Sequence, residues 1–288
     1  MDRRRLLGGV AAGLTLGALP RPFAGARTAA DPPVAFLGLG PDEERERIDF
    51  VYQRLRDLGA RYGFRLNRVR EDAAVNENFA DQAAIVVFGA GLGVEGGENP
   101  SARIDDKVLK RIRRSVRRGT GLLALHEAAA IWPSGGRLDK NQKKRTMWTD
   151  LIGGEMIGSM PPRSSIVRMA DRDVPGMRQL GAEFEFSERW LAFKNFDPEM
   201  HVVMVQETAT MDGELFQRPS FPLTWLRYEE KGRVFYSALG YEKAGWESDV
   251  IRRCMVSGML WILRDTEADV SANLMRVTPG AIQASYPI

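Results

Sequence analysis

From Val34 onward, short apolar runs alternate with amphipathic stretches. Val34–Leu39 (VAFLGL) has the make-up of a strand, and Asp42–Tyr62 places Ile48, Val51, Tyr52, Leu55 and Leu58 on one face of a helix. Phe64–Val69 alternates as a second strand. Ala83–Phe88 (AAIVVF) is a continuous apolar run, as expected of a strand covered on both faces of a parallel sheet. Ile104, Val108, Ile112 and Val116 then recur every fourth residue, predicting an amphipathic helix. Gly119-Thr120-Gly121 breaks it. Gly121–Leu125 (GLLAL) is another fully apolar strand, ending at His126. Strand and helix in this alternation predict right-handed βαβ units and an open, mainly parallel sheet.

After Asp139 the texture changes. Lys140–Arg145 (KNQKKR) reads as a charged surface loop. Ser164–Ala170, His201–Gln206, Pro222–Tyr228 and Gly232–Ala238 are strand-like with few helices between them, so some should pair antiparallel at the sheet's edge. Glu247–Leu263 has helical spacing, and the tail from Asp265 has no clear period. There is no internal repeat and no long linker, which predicts one domain over residues 31–288.

Residues 1–30 stand apart from that domain. Arg3-Arg4-Arg5 precedes Leu6-Leu7, a Gly/Ala-rich apolar run reaches Leu19, and small residues end at Thr28-Ala29-Ala30. This is the layout of a secretory signal, and the arginines before the leucines suggest the twin-arginine route, with an ordinary Sec signal as the alternative. The apolar run is too short for a comfortable membrane span, so no stable anchor is expected after cleavage, at Ala26 or Ala30, and the expected location is the periplasm. Of 41 basic and 38 acidic residues, five arginines and one aspartate lie in this segment, leaving 36 and 37 in the remainder. The formal charge of +3 thus belongs to the leader and gives no case for nucleic-acid binding. The one basic run, Lys107–Arg118 (KVLKRIRRSVRR), reads as the solvated face of its helix. Cys254 is the single cysteine, so no intrachain disulfide can form, and its apolar helical setting marks it as a small core residue.

In an open α/β sheet ligands bind beyond the carboxyl ends of the strands, which selects the loops after Leu39, Phe88, Leu125 and Leu239. Gly89 and Gly91, in Gly89-Ala90-Gly91-Leu92-Gly93, would let the backbone approach a ligand. That run lacks the third glycine of a dinucleotide fingerprint at the right offset and follows the third strand instead of the first, so no nicotinamide cofactor is expected. The third loop presents His126-Glu127 at the tip of a buried strand, followed by Ala128-Ala129.

The segment Gly119–Ala129 resembles the "G-G-G-hydrophobic-x-x-L-H-x-A" element of ThuA-like (trehalose utilisation) proteins, relatives of the class I glutamine amidotransferase fold. Other pieces follow in register. Trp148-Thr149-Asp150-Leu151-Ile152-Gly153-Gly154 is similar to the family's aromatic-x-x-L-x-G-G stretch, and Phe186-Ser187-Glu188-Arg189-Trp190 stands where an acidic-Glu-x-Tyr motif is usual. Pro222-Leu223-Thr224-Trp225, Gly232-Arg233-Val234-Phe235-Tyr236 and Leu239-Gly240 match its ending, with Trp261 in the last helix. The likeness runs from about Val34 to Arg264. It departs at the histidines: Tyr241 replaces the one after L-G, and the expected positions near Ser159-Met160 and at Val174 hold none.

The resemblance implies a three-layer α/β sandwich with a mainly parallel, flavodoxin-like sheet of the amidotransferase type. It implies a small-molecule sugar as ligand: a disaccharide or glycoside, or its keto-sugar derivative. His126 would be the general acid or base, Glu127 or Glu188 its partner, and Tyr241 a proton donor or hydroxyl contact. Indole faces of Trp148, Trp190 and Trp246 would suit pyranose rings. His126 could equally cap a helix or satisfy buried backbone. Zinc needs three or four ligands, but only His126 and His201 are available, so neither a metal nor a cofactor is expected. Amidotransferase chemistry is excluded, because no cysteine occupies the turn after the central strand. A non-catalytic carbohydrate-binding module and a hydrolase of a non-sugar substrate stay open as alternatives, as does a homo-oligomer.

Overall fold

The computed structural model describes residues 31–74, 76–92, 104–132 and 145–283. The expected signal segment, Gly93 and Lys140–Lys144 of the expected surface loop lie outside the described residues.

The first strands follow the apolar runs closely. β1 (Pro33–Leu39), β2 (Arg65–Arg68), β3 (Ala84–Gly89) and β4 (Gly121–His126) form a parallel array in the order β2-β1-β3-β4. β3 and β4 are buried at every position, as runs without polar alternation require. β11 (Gly232–Ser237) pairs parallel to β4 and completes this half. Beyond it β10 (Phe221–Glu229), β9 (His201–Gln206), β6 (Arg163–Met169) and β7 (Glu183–Glu188) add antiparallel neighbours, giving nine strands.

Helices cover both faces. α1 (Arg45–Tyr62) and α5 (Asp249–Ile262) lie together on one side. α1 buries Ile48, Val51 and Leu55 and ends at Gly63, whose φ of 81° closes the helix in the left-handed region. A short helix, α2 (Glu71–Ala74), follows β2. α3 (Asp106–Arg118) and α4 (Met147–Ile152) cover the other side. Asp105 caps α3 by accepting from the Lys107 N–H at 2.7 Å. On the outer face of α3, Arg113 and Arg117 both bind Glu229 of the β10–β11 hairpin, at 2.9 and 2.8 Å. The layers are therefore the expected three-layer α/β sandwich. Cys254 lies wholly buried against Ser237, where burial pushes its thiol up to about 11.

Three strands were not predicted: β7, β5 (Glu155–Ser159) and β8 (Leu191–Lys194), the last two forming a separate antiparallel pair. β7 (EFEFSE) is the sheet's outer edge, where only Phe186 and Glu188 are buried. Its charged outer positions suppress the apolar signal and also protect an open edge. β5 is short and its register shifts between Met156 and Gly158, so its pattern is broken. The tail holds two one-turn helices, α6 (Leu274–Val277) and α7 (Gly280–Gln283).

Candidate active site

The carboxyl ends of β1, β3, β4 and β11 converge at one crest. β4 ends in a sharp turn into a single 3-10 turn (Glu127–Ala130), and at that turn His126 has φ 50° and ψ −124°. Such values in a residue with a Cβ cost about 1–3 kcal/mol and persist only where surrounding packing imposes them. The packing is visible. The Tyr236 hydroxyl donates to the His126 carbonyl at 2.7 Å, and Gly89 of β3 lies directly against the turn. A Cβ on Gly89 would stand 2.4 Å from the Glu127 carbonyl carbon and 2.5 Å from the Ala128 nitrogen, both rigid backbone. Gly89→Ala is therefore expected to destabilise the protein by about 1–3 kcal/mol, read as a lower denaturant midpoint; an unchanged midpoint would show that this turn yields freely.

The His126 ring is 0% exposed. Its Nε2 lies 3.2 Å from the Arg189 carbonyl, which can only accept, so Nε2 carries the hydrogen and Nδ1 the lone pair. Burial lowers its pKa to about 3, against the carbonyls of Arg189 and Gly89, so the imidazole is neutral. The ring stacks on Tyr241 with centroids 4.8 Å apart and 26° between planes.

Tyr241 is the centre of the outer layer. Its hydroxyl donates to Glu44 at 2.7 Å and accepts from Arg189 at 3.3 Å, and the Arg47 guanidinium lies 3.6 Å from its ring centroid. Burial and the Glu44 carboxylate push the phenol up to about 12, so it holds its proton. Arg47 binds Glu44 at 2.9 Å and the Tyr241 carbonyl at 2.5 Å. Arg189 spans Ser159 at 3.0 Å and Glu127 at 3.5 Å. Glu127 also accepts from the Leu92 N–H. The side chains of Glu44, Arg47 and Arg189 are only partly buried, and they form the surface above the imidazole.

Glu188 has a different position. Its carboxylate, at 0% exposure, accepts from four backbone N–H groups: Arg189 and Glu242 at 2.9 and 3.0 Å, Gly240 and Tyr241 at 2.8 and 3.3 Å. It clamps the loop that carries Tyr241. Burial pushes it up to about 7 in spite of those donors. No hydrogen bond joins Glu127 or Glu188 to His126 among the described residues.

His126, Glu127, Glu188, Tyr241, Gly89 and Gly91 are thus brought together, and the tryptophans are not. Trp148 and Trp190 are 1% and 0% exposed, and their indole N–H groups donate to the Ala128 and Arg163 carbonyls at 2.7 and 2.8 Å. Trp246 donates to the Gly240 carbonyl at 3.0 Å and packs edge-on to Phe50, beneath the Tyr241 loop. All three serve packing here, and none offers an open ring face to a pyranose. Gly91, with φ 66°, faces Glu44. His201 is also structural, its nitrogens lying 2.8 Å from the Asp171 carboxylate and the Ser271 carbonyl.

Sequence reasoning passed over Glu44, Arg47, Ser159 and Arg189. Glu44 and Arg47 are three apart at the start of the helix after β1, in a loop already marked by strand order, so an acid–base pair there could have been noticed. Arg189 lies within the Glu188 motif itself.

An open α/β sandwich with its polar cluster at the crest of the parallel strands is the class of protein defined so far. The chain belongs to the ThuA family (trehalose utilisation), whose model matches residues 40–262, and that membership supports a role in sugar utilisation. Among solved structures it is similar to a ThuA-like protein from Bacteroides uniformis, with 12% identity, a TM-score of 0.59, and coverage of 82% of this chain and 92% of that one. A ThuA-like protein from Parabacteroides merdae gives 13% identity and a TM-score of 0.57, over 84% and 92%. A β-galactosidase from Rahnella sp. R3 shares the fold over 83% of this chain but only 32% of its own length, with 10% identity and a TM-score of 0.51. No curated protein sequence matches the chain.

Proposed function

We propose that the protein processes a disaccharide or glycoside, or a keto-sugar made from one, at this crest and outside the cytoplasm. The observation that carries the reading is His126: a neutral imidazole held in a strained strand-to-helix turn, where sheets of this kind present reactive groups. Glu44, Arg47, Ser159, Arg189 and the Tyr241 hydroxyl offer the donors and acceptors that sugar hydroxyls require. Tyr241, protonated, donates to a sugar oxygen. Entry of water or substrate beside His126 restores the basicity that burial suppresses, and the ring then accepts a proton at its unpartnered Nδ1. Glu188 acts through the loop it clamps, and Glu127 through Arg189.

A second reading has two specific observations behind it. Neither carboxylate bonds to His126, and a base with a pKa near 3 is poorly matched to neutral pH; both fit a non-catalytic carbohydrate-binding module. Assaying the purified mature protein against disaccharides and their 3-keto forms separates the two. Turnover supports processing, whereas saturable sugar binding without turnover transfers the conclusion to the binding module.

The location rests on Arg3-Arg4 before Leu6-Leu7. Replacing both arginines by lysine is expected to leave the precursor unprocessed in the cytoplasm, as judged by fractionation. Normal processing would point to a Sec signal instead.

A further inference from the structure

A cleft of about 450 Å³ lies away from the crest, at the opposite, amino ends of β3, β4 and β11, lined among others by Arg118, Thr120, Lys231 and Arg264. His126 is the sixth residue of β4 counted from the cleft, roughly 20 Å from Thr120 at about 3.3 Å per residue. Its cations come from three elements: the last residue of α3, the β10–β11 hairpin and the turn after α5.

All three are exposed residues, and three carboxylates of the neighbouring turns are engaged elsewhere. Glu229 is taken by Arg113 and Arg117, Glu230 by Arg117 at 3.2 Å, and Glu267 by both nitrogen–oxygen contacts of Arg233 at 2.6 Å. Arg264 acts on Glu267 only through space and spends one nitrogen on the Lys231 carbonyl, tying the two turns together. Among the described residues, Arg118, Lys231 and Arg264 form no salt bridge. A basic residue at a helix carboxyl end complements the helix dipole, which accounts for Arg118 but not for Lys231. Thr120 lines the same cleft and is more than nine-tenths buried, its backbone N–H donating to the Ser115 carbonyl at 3.2 Å. Arg264 and Glu230, beside the cleft, hold φ of 63° and 52°, values that a residue with a side chain seldom adopts.

We propose that this cleft binds a small oxyanion, the phosphate or sulfate group of a small-molecule ligand, with Arg118, Lys231 and Arg264 supplying charge and Thr120 a hydroxyl donor. The volume suits a group of that kind with a small organic moiety attached. Tetrahedral oxyanions take charge-assisted bonds from guanidinium and ammonium groups together with a neutral hydroxyl.

The test is isothermal titration of the full mature chain with inorganic phosphate and, separately, sulfate, at ionic strength fixed with chloride. Saturable binding is expected, weakened about tenfold or more by R118Q/K231Q. Thr120→Val, which removes the hydroxyl and keeps shape and charge, is expected to weaken it about threefold or more. Arg114→Gln, on the same helix but outside the cleft, should leave it unchanged. Binding of both anions supports a general oxyanion site, and binding of phosphate alone a phosphomonoester site. Absence of saturable binding with either anion overturns the proposal. So does equal weakening by Arg114→Gln, which would mean a diffuse basic helix face and no built site. Unaltered melting of each variant, checked alongside, ties any loss to the cleft.

Discussion

His126→Asn is expected to lower sugar turnover by about 10²-fold or more while the folded state survives. Asparagine is the informative replacement. At φ 50° and ψ −124° the turn strains any residue that carries a Cβ, so both proteins share that strain and the imidazole alone is removed. Asparagine can also still donate toward the Arg189 carbonyl. Some loss of stability follows in any case, because the ring fills a fully buried space between Tyr241 and the β4 turn; about 1–3 kcal/mol is the range for a buried polar group losing its fit. Turnover and melting temperature must therefore be measured on the same preparation. Unchanged turnover with a lowered melting temperature would remove His126 from the chemistry and leave the binding module as the better reading.

The second large effect is on stability as a function of pH, from two buried groups displaced in opposite directions. Glu188 goes from an ordinary value of 4.5 to about 7 in the folded protein. The folded state holds its proton over that interval and the unfolded state does not, so the contribution is fully present below 4.5 and is lost as pH rises toward 7. His126 goes from 6.5 to about 3. Here the unfolded state binds the proton first, so the contribution is present above 6.5 and is lost as pH falls toward 3. Each slope is about 1.4 kcal/mol per pH unit. Between 4.5 and 6.5 the two cancel. Glu188→Gln removes one arm: relative to the parent protein, its stability should gain with rising pH across the interval from 4.5 to 7. At pH 4.5 it should be less stable by about 2–4 kcal/mol, since an amide cannot accept from all four loop N–H groups, and that deficit should narrow as pH rises toward 7. Equal pH profiles for the two proteins, by chemical denaturation at a series of pH values, would show that Glu188 does not titrate in this range.

The parallel half of the sheet was legible because its strands are buried on both faces and leave unbroken apolar runs, as in AAIVVF and GLLAL. The crest was legible for the same reason: once strand order is known, the loops that follow β1, β3, β4 and β11 must meet. His126 is found in this way. β7 was hidden because an outer edge strand needs charge on its solvent face, and Glu183 and Glu185 supply it. The outer layer of the site was hidden by distance along the chain. Nothing local in Asp42-Glu43-Glu44-Arg45-Glu46-Arg47 indicates that Glu44 and Arg47 will hold Tyr241, almost two hundred residues later. The tryptophans misled because composition reports an indole but not whether its face is covered, and Trp148 and Trp190 sit in the core with their N–H groups satisfied.

β11 lies between β4 and β10, although β4 is made from residues 121–126 and β11 from 232–237. The central strand is thus among the last to be synthesised. Until it arrives, β4 has an open edge, Tyr236 is absent from the His126 carbonyl, and the loop holding Tyr241 does not exist. Contacts spanning this much chain are slow to form, and a chain stopped short of β11 lacks both the sheet's middle and its crest. The crest is therefore complete only once β11 and the loop that follows it are in place beside β4.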